Sequence, residues 1–183
     1  MSTVIAPART QWIIDATHTN VEFSVRHLMI TTVKGRFAEV QGSVILDEDD
    51  PAKHSVEVTI NSASVDTRVA QRDDHLRSAD FFDVERFPTL TFKSRSVTPR
   101  SDDHLEIAGD LTIHGVTREV TLDVTSLGRQ ADPWGGERAG FTAATRIKRS
   151  DFGLTWNQAL ETGGVVVGDD VKINIDAELI LQS

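Results

Sequence analysis

Six histidines are the residues most able to do chemistry in this chain: His18, His27, His54, His75, His104 and His114. A histidine beside carboxylates can relay protons or ligate a metal. The densest such group is Asp73-Asp74-His75, in a stretch that also carries Arg68, Arg72 and Arg77. Adjacent residues on a helical turn point in different directions, so these three do not converge on one ion. No His-Glu-x-x-His or comparable ligand spacing occurs, and we expect neither a metal nor a cofactor. The absence of cysteine excludes disulfides, thiolate metal sites and cysteine nucleophiles. There is no Gly-x-Ser-x-Gly elbow, and Asp151-Phe152-Gly153 lacks the glycine-rich loop and His-Arg-Asp motif that would make it part of a kinase. These residue types favour binding over catalysis, and no catalytic residue is assigned. The enzymatic alternative would use His27 or His75 as general base on a lipophilic substrate.

Composition narrows the class further. The chain has 183 residues, 39% of them hydrophobic, which suits one domain over residues 11–183 after a flexible tail at residues 1–10. The net charge is -9 with lysine and arginine scattered among the acids, so no basic stripe offers itself to a nucleic acid. No apolar run is long enough to span a membrane. Val4-Ile5-Ala6 is too short for a secretory core, and the expected location is cytoplasmic.

The elements that must position any site read as strands. Apolar residues recur at period two, the mark of a strand with one buried face. Gln11–Ile14 is a short strand. Val21, Phe23, Val25 and His27 share one face of the next. From Val33 to Leu46 the inward set changes parity between Phe37 and Val40, which suggests one long strand with a one-residue bulge. Further rows are Val56-Val58-Ile60, Leu90-Phe92, Leu105 to Ile113, Val120-Leu122-Val124, Phe141 to Ile147, and Val171 to Leu181. His114-Gly115 and Asp132 to Gly136 are turns, and Ser150–Asp170 is irregular. About eight antiparallel strands make an all-β barrel or sandwich, and their length and bends favour the closed barrel. Asp66 to Pro88 breaks the pattern. It reads as a short helical segment across one end, with Phe81 and Phe82 needing an apolar surface to cover.

The inward rows are rich in valine and include Gly35, Gly42, Gly109, Ala143 and Thr145. Small inward residues leave space down a barrel of about eight strands, and a tall apolar tube suits an extended hydrocarbon. A filled valine-rich core, serving a protein-interaction module, is the alternative. If the barrel is hollow, the lining taken from successive strands is Phe23, Val25, His27, Phe37, Val44 and Val58. Phe81 and Phe82 join it from the helical segment, then Phe92, Leu111, Ile113, Leu122, Phe141 and Ile147. Phe152, Trp156 and Ile173 complete it, with Arg72 and His75 as contacts for a polar head group. Trp12, Trp134 and Trp156 can equally serve as packing or turn anchors.

Several stretches together resemble the YceI-like, polyisoprenoid-binding bacterial proteins: WIIDATH at Trp12–His18, VEFSVRHLMITTVKGR at Val21–Arg36, RDDHLRSADFFDVERFPTLTF at Arg72–Phe92, GDLTIHGVT at Gly109–Thr117, and RSDFGLTWN at Arg149–Asn157. The resemblance runs from Trp12 to Leu181. It implies an extended, lipocalin-like antiparallel β-barrel with a long-chain lipid in its lumen. That lipid would be a polyisoprenoid, an isoprenoid quinone or a fatty chain, held for transport, storage or sequestration. It implies no catalytic residues and is compatible with a homodimer.

Overall fold

A computed structural model describes residues 8–183, so most of the expected tail, residues 1–7, lies outside the described part. Strand β1 (Arg9–Ile14) starts two residues earlier than the sequence pattern indicates. Arg9 and Thr10 already pair with Asp47 and Leu46. The remaining strands are β2 (Asn20–His27), β3 (Thr31–Phe37), β4 (Val40–Asp47), β5 (Ser55–Asn61), β6 (Val65–Asp66), β7 (Thr89–Pro99), β8 (His104–Ile113), β9 (Val116–Ala131), β10 (Glu137–Lys148) and β11 (Val167–Leu181). Among the described residues one α-helix, α1 (Ala70–Arg77), interrupts them. Among the described residues no helix is long and apolar enough to cross a membrane.

These eleven strands form eight staves of a closed antiparallel barrel. β1 and β2 both pair with β11, through Ile14↔Leu179 and Val21↔Ile175, so they are halves of one stave. β3 pairs with β2 and β4 with β1, which makes the second stave. β5 on β4 and β6 on β3 make the third. β7 to β11 follow as neighbours and return to the first, leaving no continuous edge exposed.

The bulge expected between Phe37 and Val40 is instead a break in all three composite staves. The 3-10 turns Ala16–His18 and Ser62–Ser64 flank the gap at Ala38-Glu39. Across it, Ala38 N–H donates to the Ser64 carbonyl at 3.1 Å and Asn61 N–H to the Glu39 carbonyl at 3.0 Å. A one-residue slip in a single strand cannot bend a wall whose neighbours stay straight, so adjacent staves step together. Asp15 and Asn61 supply the side-chain caps, accepting from the N–H groups of Thr17 and Ala63. At the opposite hairpin, His114 and Gly115 take φ of +55° and +71° between the paired Ile113 and Val116. That left-handed pair matches the twist of the strands it joins.

Helix α1 has little apolar surface of its own, with Leu76 as its one large apolar residue. Polar contacts hold it to the wall. The Asp73 carboxylate accepts from the Thr67 N–H at 2.9 Å and from the Thr67 hydroxyl. Arg77 donates to the carbonyls of Ala63 and Val65 at 2.8 and 3.1 Å. An eight-residue helix is marginal alone, so these anchors decide whether it forms. Phe81 and Phe82 follow and cover apolar surface as the sequence requires. Phe82 sets its edge against Phe37, with ring centroids 5.6 Å apart.

Candidate functional site

The barrel is hollow. A cavity of about 460 Å³ runs along it, from Leu46, His54 and Leu105 at one end to His27, His75 and Trp156 at the α1 end. That volume falls in the range of small-molecule pockets, about 300–1,000 Å³. Strand alternation delivers the wall, because every second residue of each stave points inward. Phe23, Val25, Leu111, Val120 and Ile173 face the axis yet stay only half-buried, which a close-packed interior would not allow. The filled-core alternative therefore fails.

Phe23, Val25, His27, Phe37, Val44 and Val58 border this cavity. So do Phe81, Phe82, Phe92, Leu111, Ile113 and Leu122. Phe141, Ile147, Trp156 and Ile173 complete the expected apolar lining, and Arg72 and His75 border it too. Phe152 is the correction. It sits in the 3-10 turn Arg149–Phe152, where strand parity no longer decides direction. Its ring is 1% exposed and packs in the core cluster of Ile113, Ile147 and Leu154 rather than on the lumen.

The two ends of the cavity differ in chemistry. At the far end Val44, Leu46 and Leu179 border the cavity and pack on Trp12, 0% exposed, which with Ala139 completes the floor beneath them. Its indole N–H donates to the Thr10 hydroxyl at 2.9 Å, and the Arg129 guanidinium stacks 5.1 Å above the ring while pairing with Glu48 at 2.7 Å. His54 lies beside this floor. Its Nδ1 accepts from the Asp47 N–H at 3.0 Å, which puts its proton on Nε2, and burial pushes the imidazole below its ordinary pKa.

At the α1 end, His75 packs edge-on against Trp156 and Phe81, with centroids 4.7 and 5.1 Å away. Its Nε2 lies 2.8 Å from the Asp80 carboxylate. Arg72 donates to the Thr67 hydroxyl at 2.7 Å and to the Thr67 carbonyl at 2.8 Å. Sequence reading missed the group that holds this end together. The buried Arg149 guanidinium donates to four carbonyls, those of Leu154 (2.7 Å), Gly168 (2.8 Å), Trp156 (2.9 Å) and Val167 (3.2 Å). It ties the irregular segment after β10, with Trp156, to the start of β11. A lone arginine in a loop carries no local signal of such a role, because its partners are set only when the segment folds back.

Asp15, His18 and Glu178 offer three ligand atoms within 4.8 Å of one another, a cluster the sequence did not bring together. Arg138 already bridges its two carboxylates, at 2.7 Å from Asp15 and 2.5 Å from Glu178. Hydrogen bonds from the Thr17 hydroxyl, His18 and Arg138 hold the Asp15 carboxyl well below the usual carboxylate range, and Asp15 in turn raises His18. The group is an ion-pair network across the step in the staves.

What the site can do is take an apolar molecule out of water, with Arg72 and His75 as polar groups on its border. The comparisons with known proteins agree with this architecture. The YceI-like domain model matches residues 12–179. Protein YceI of Escherichia coli O17:K52:H18 is 48% identical over 137 residues, covering 75% of this chain and 71% of its own. Protein YceI of Salmonella newport is 47% identical over 138 residues, with 75% and 72% covered. Among solved structures, BcnA of Burkholderia cenocepacia superposes with a TM-score of 0.79 at 26% identity, over 90% of this chain and 98% of its own. A polyisoprenoid binding domain from Saccharophagus degradans, implicated in plant cell wall breakdown, superposes with a TM-score of 0.69 at 17% identity, over 93% and 98%. At that identity the likeness is one of fold.

Proposed function

The chain belongs to the YceI-like family, and from that premise we propose that it is a non-catalytic carrier that holds one long-chain lipid, an isoprenoid above all, tail-inward in its lumen. One observation carries the reading: a continuous cavity of about 460 Å³ whose wall is almost wholly aliphatic and aromatic. Roughly ten buried methylenes contribute about 8 kcal/mol before ordering costs, the scale of a micromolar complex. Affinity comes from the tail. The head group, a quinone ring or an alcohol, rests at the α1 end, where Arg72 and His75 border the lumen, because the other end is bordered by the apolar residues packed on Trp12.

The test is direct. Organic extraction of the purified protein followed by mass spectrometry should release a polyprenyl, quinone or fatty lipid, and added octaprenol should bind at about one per chain. A lipid-free extract from a protein that also fails to bind octaprenol or ubiquinone would overturn the reading.

A further inference from the structure

Gly35 and Phe23 are direct partners across the β2–β3 pair. Phe23 borders the lumen, whereas Gly35 is buried and does not reach it. A Cβ on Gly35 would stand 2.4 Å from Phe23 Cζ, 2.8 Å from Phe23 Cε1 and 2.8 Å from Thr67 Cγ2. The tip of the ring therefore sits over the glycine, in the space a side chain would fill. Its other neighbours cannot give way easily. Phe37 packs against it with centroids 5.5 Å apart, and Phe82 braces Phe37 from beyond α1. Thr67 is fixed by Asp73 and Arg72. The lumen is the side left to Phe23 if it is lifted.

We propose that Gly35 sets the bore of the lumen: by seating Phe23 against the wall it admits a methyl-branched isoprenoid chain where a lifted ring would pass only an unbranched one. The inference rests on the carrier reading. The added methyl of alanine would push the ring off its seat by about 1 Å or more before ordinary carbon contact at about 3.5–4.0 Å returns. An isoprenoid chain carries a methyl branch in every unit and is wider than a fatty chain, so it meets the constriction first. Gly109 seats Phe92 in a similar way, and a Cβ there would stand 2.5 Å from Phe92 Cζ, but it would also meet the Lys93 carbonyl at 2.6 Å. Substitution at Gly109 would strain the backbone. At Gly35 the three nearest atoms are all side-chain atoms, which makes it the cleaner probe of bore.

The experiment compares wild type, Gly35→Ala, and Gly35→Ala combined with Phe23→Leu, titrated with octaprenol and with unbranched hexadecanol. Melting curves serve as the fold control. Gly35→Ala should weaken octaprenol binding about tenfold or more and hexadecanol binding by less than about threefold. The double variant, with a smaller side chain over the new methyl, should recover octaprenol binding. Wild-type-like octaprenol binding by a folded Gly35→Ala protein overturns the inference and leaves the carrier reading standing. So does an equal loss of both ligands, or a loss that Phe23→Leu does not rescue. If wild type binds neither ligand, the carrier reading fails and takes this inference with it.

Discussion

Trp12 and Ile173 face the same interior from neighbouring strands, and they meet opposite fates. Trp12 has no accessible surface, sealed by Val44, Leu46, Ala139 and Leu179 with Arg129 stacked on top. Ile173, midway along β11, points at open space and stays half-buried. Both obey one period-two pattern of apolar residues. The floor shows what that pattern becomes when one bulky indole is packed on every side, and the wall shows what it becomes when valine and isoleucine border open space.

Substitutions put this contrast between floor and wall at risk. Trp12→Ala should have the largest effect, about 3–5 kcal/mol of lost stability in urea unfolding, because it opens a void in the packed region. A loss near 1 kcal/mol would mean that the floor is not close-packed. Next comes Arg149→Met, which removes the polar tie between the segment after β10 and the start of β11. Leaving four carbonyls without their shared donor should cost about 2–4 kcal/mol, with protease sensitivity rising first in the segment after β10. Ile173→Ala should cost only about 1 kcal/mol, below the range of about 2–5 for a packed isoleucine, since the lining already borders a void. A loss as large as that of Trp12→Ala would erase the distinction.

The smallest effect concerns pH at the floor. Burial depresses His54 in the folded state, so below its unfolded pKa of about 6.5 the unfolded chain binds more protons than the folded one. Stability linked to His54 is therefore complete above about pH 6.5 and is lost as pH falls from there toward the depressed folded pKa. His18 has the opposite sign. Its raised pKa gives stability present below about pH 6.5 and lost as pH rises through the folded value. Melting temperatures of wild type and His54→Gln across this range separate the two. The variant should show a shallower acid decline, and an unchanged slope would place His54 outside the buried floor.

Much of this was legible in the residues. Alternation marked nearly every stave, and His114-Gly115 marked its hairpin. Phe81 and Phe82 announced that the helical segment must cover something apolar. The apolar positions named from parity and the helical segment border the cavity, but others on the strands, such as Ile14, Val40 and Leu105, were not named, and Phe152 failed because parity ends where the 3-10 turn begins. The shared step at Ala16–His18, Ala38-Glu39 and Ser62–Ser64 was not legible as one feature, since its three parts are joined only by cross-strand register. Arg149 and the Asp73–Thr67 anchor were hidden for a related reason: a polar side chain shows its partner only in three dimensions.

The order of amino acids alone set which faces are apolar, where the chain turns, and which family it belongs to, because these depend on local spacing and residue type. The closed barrel was needed to keep the apolar faces from meeting. The distance across eight staves is a property of the ring as a whole, and a run of valines carries no measure of how far away the opposite wall will stand.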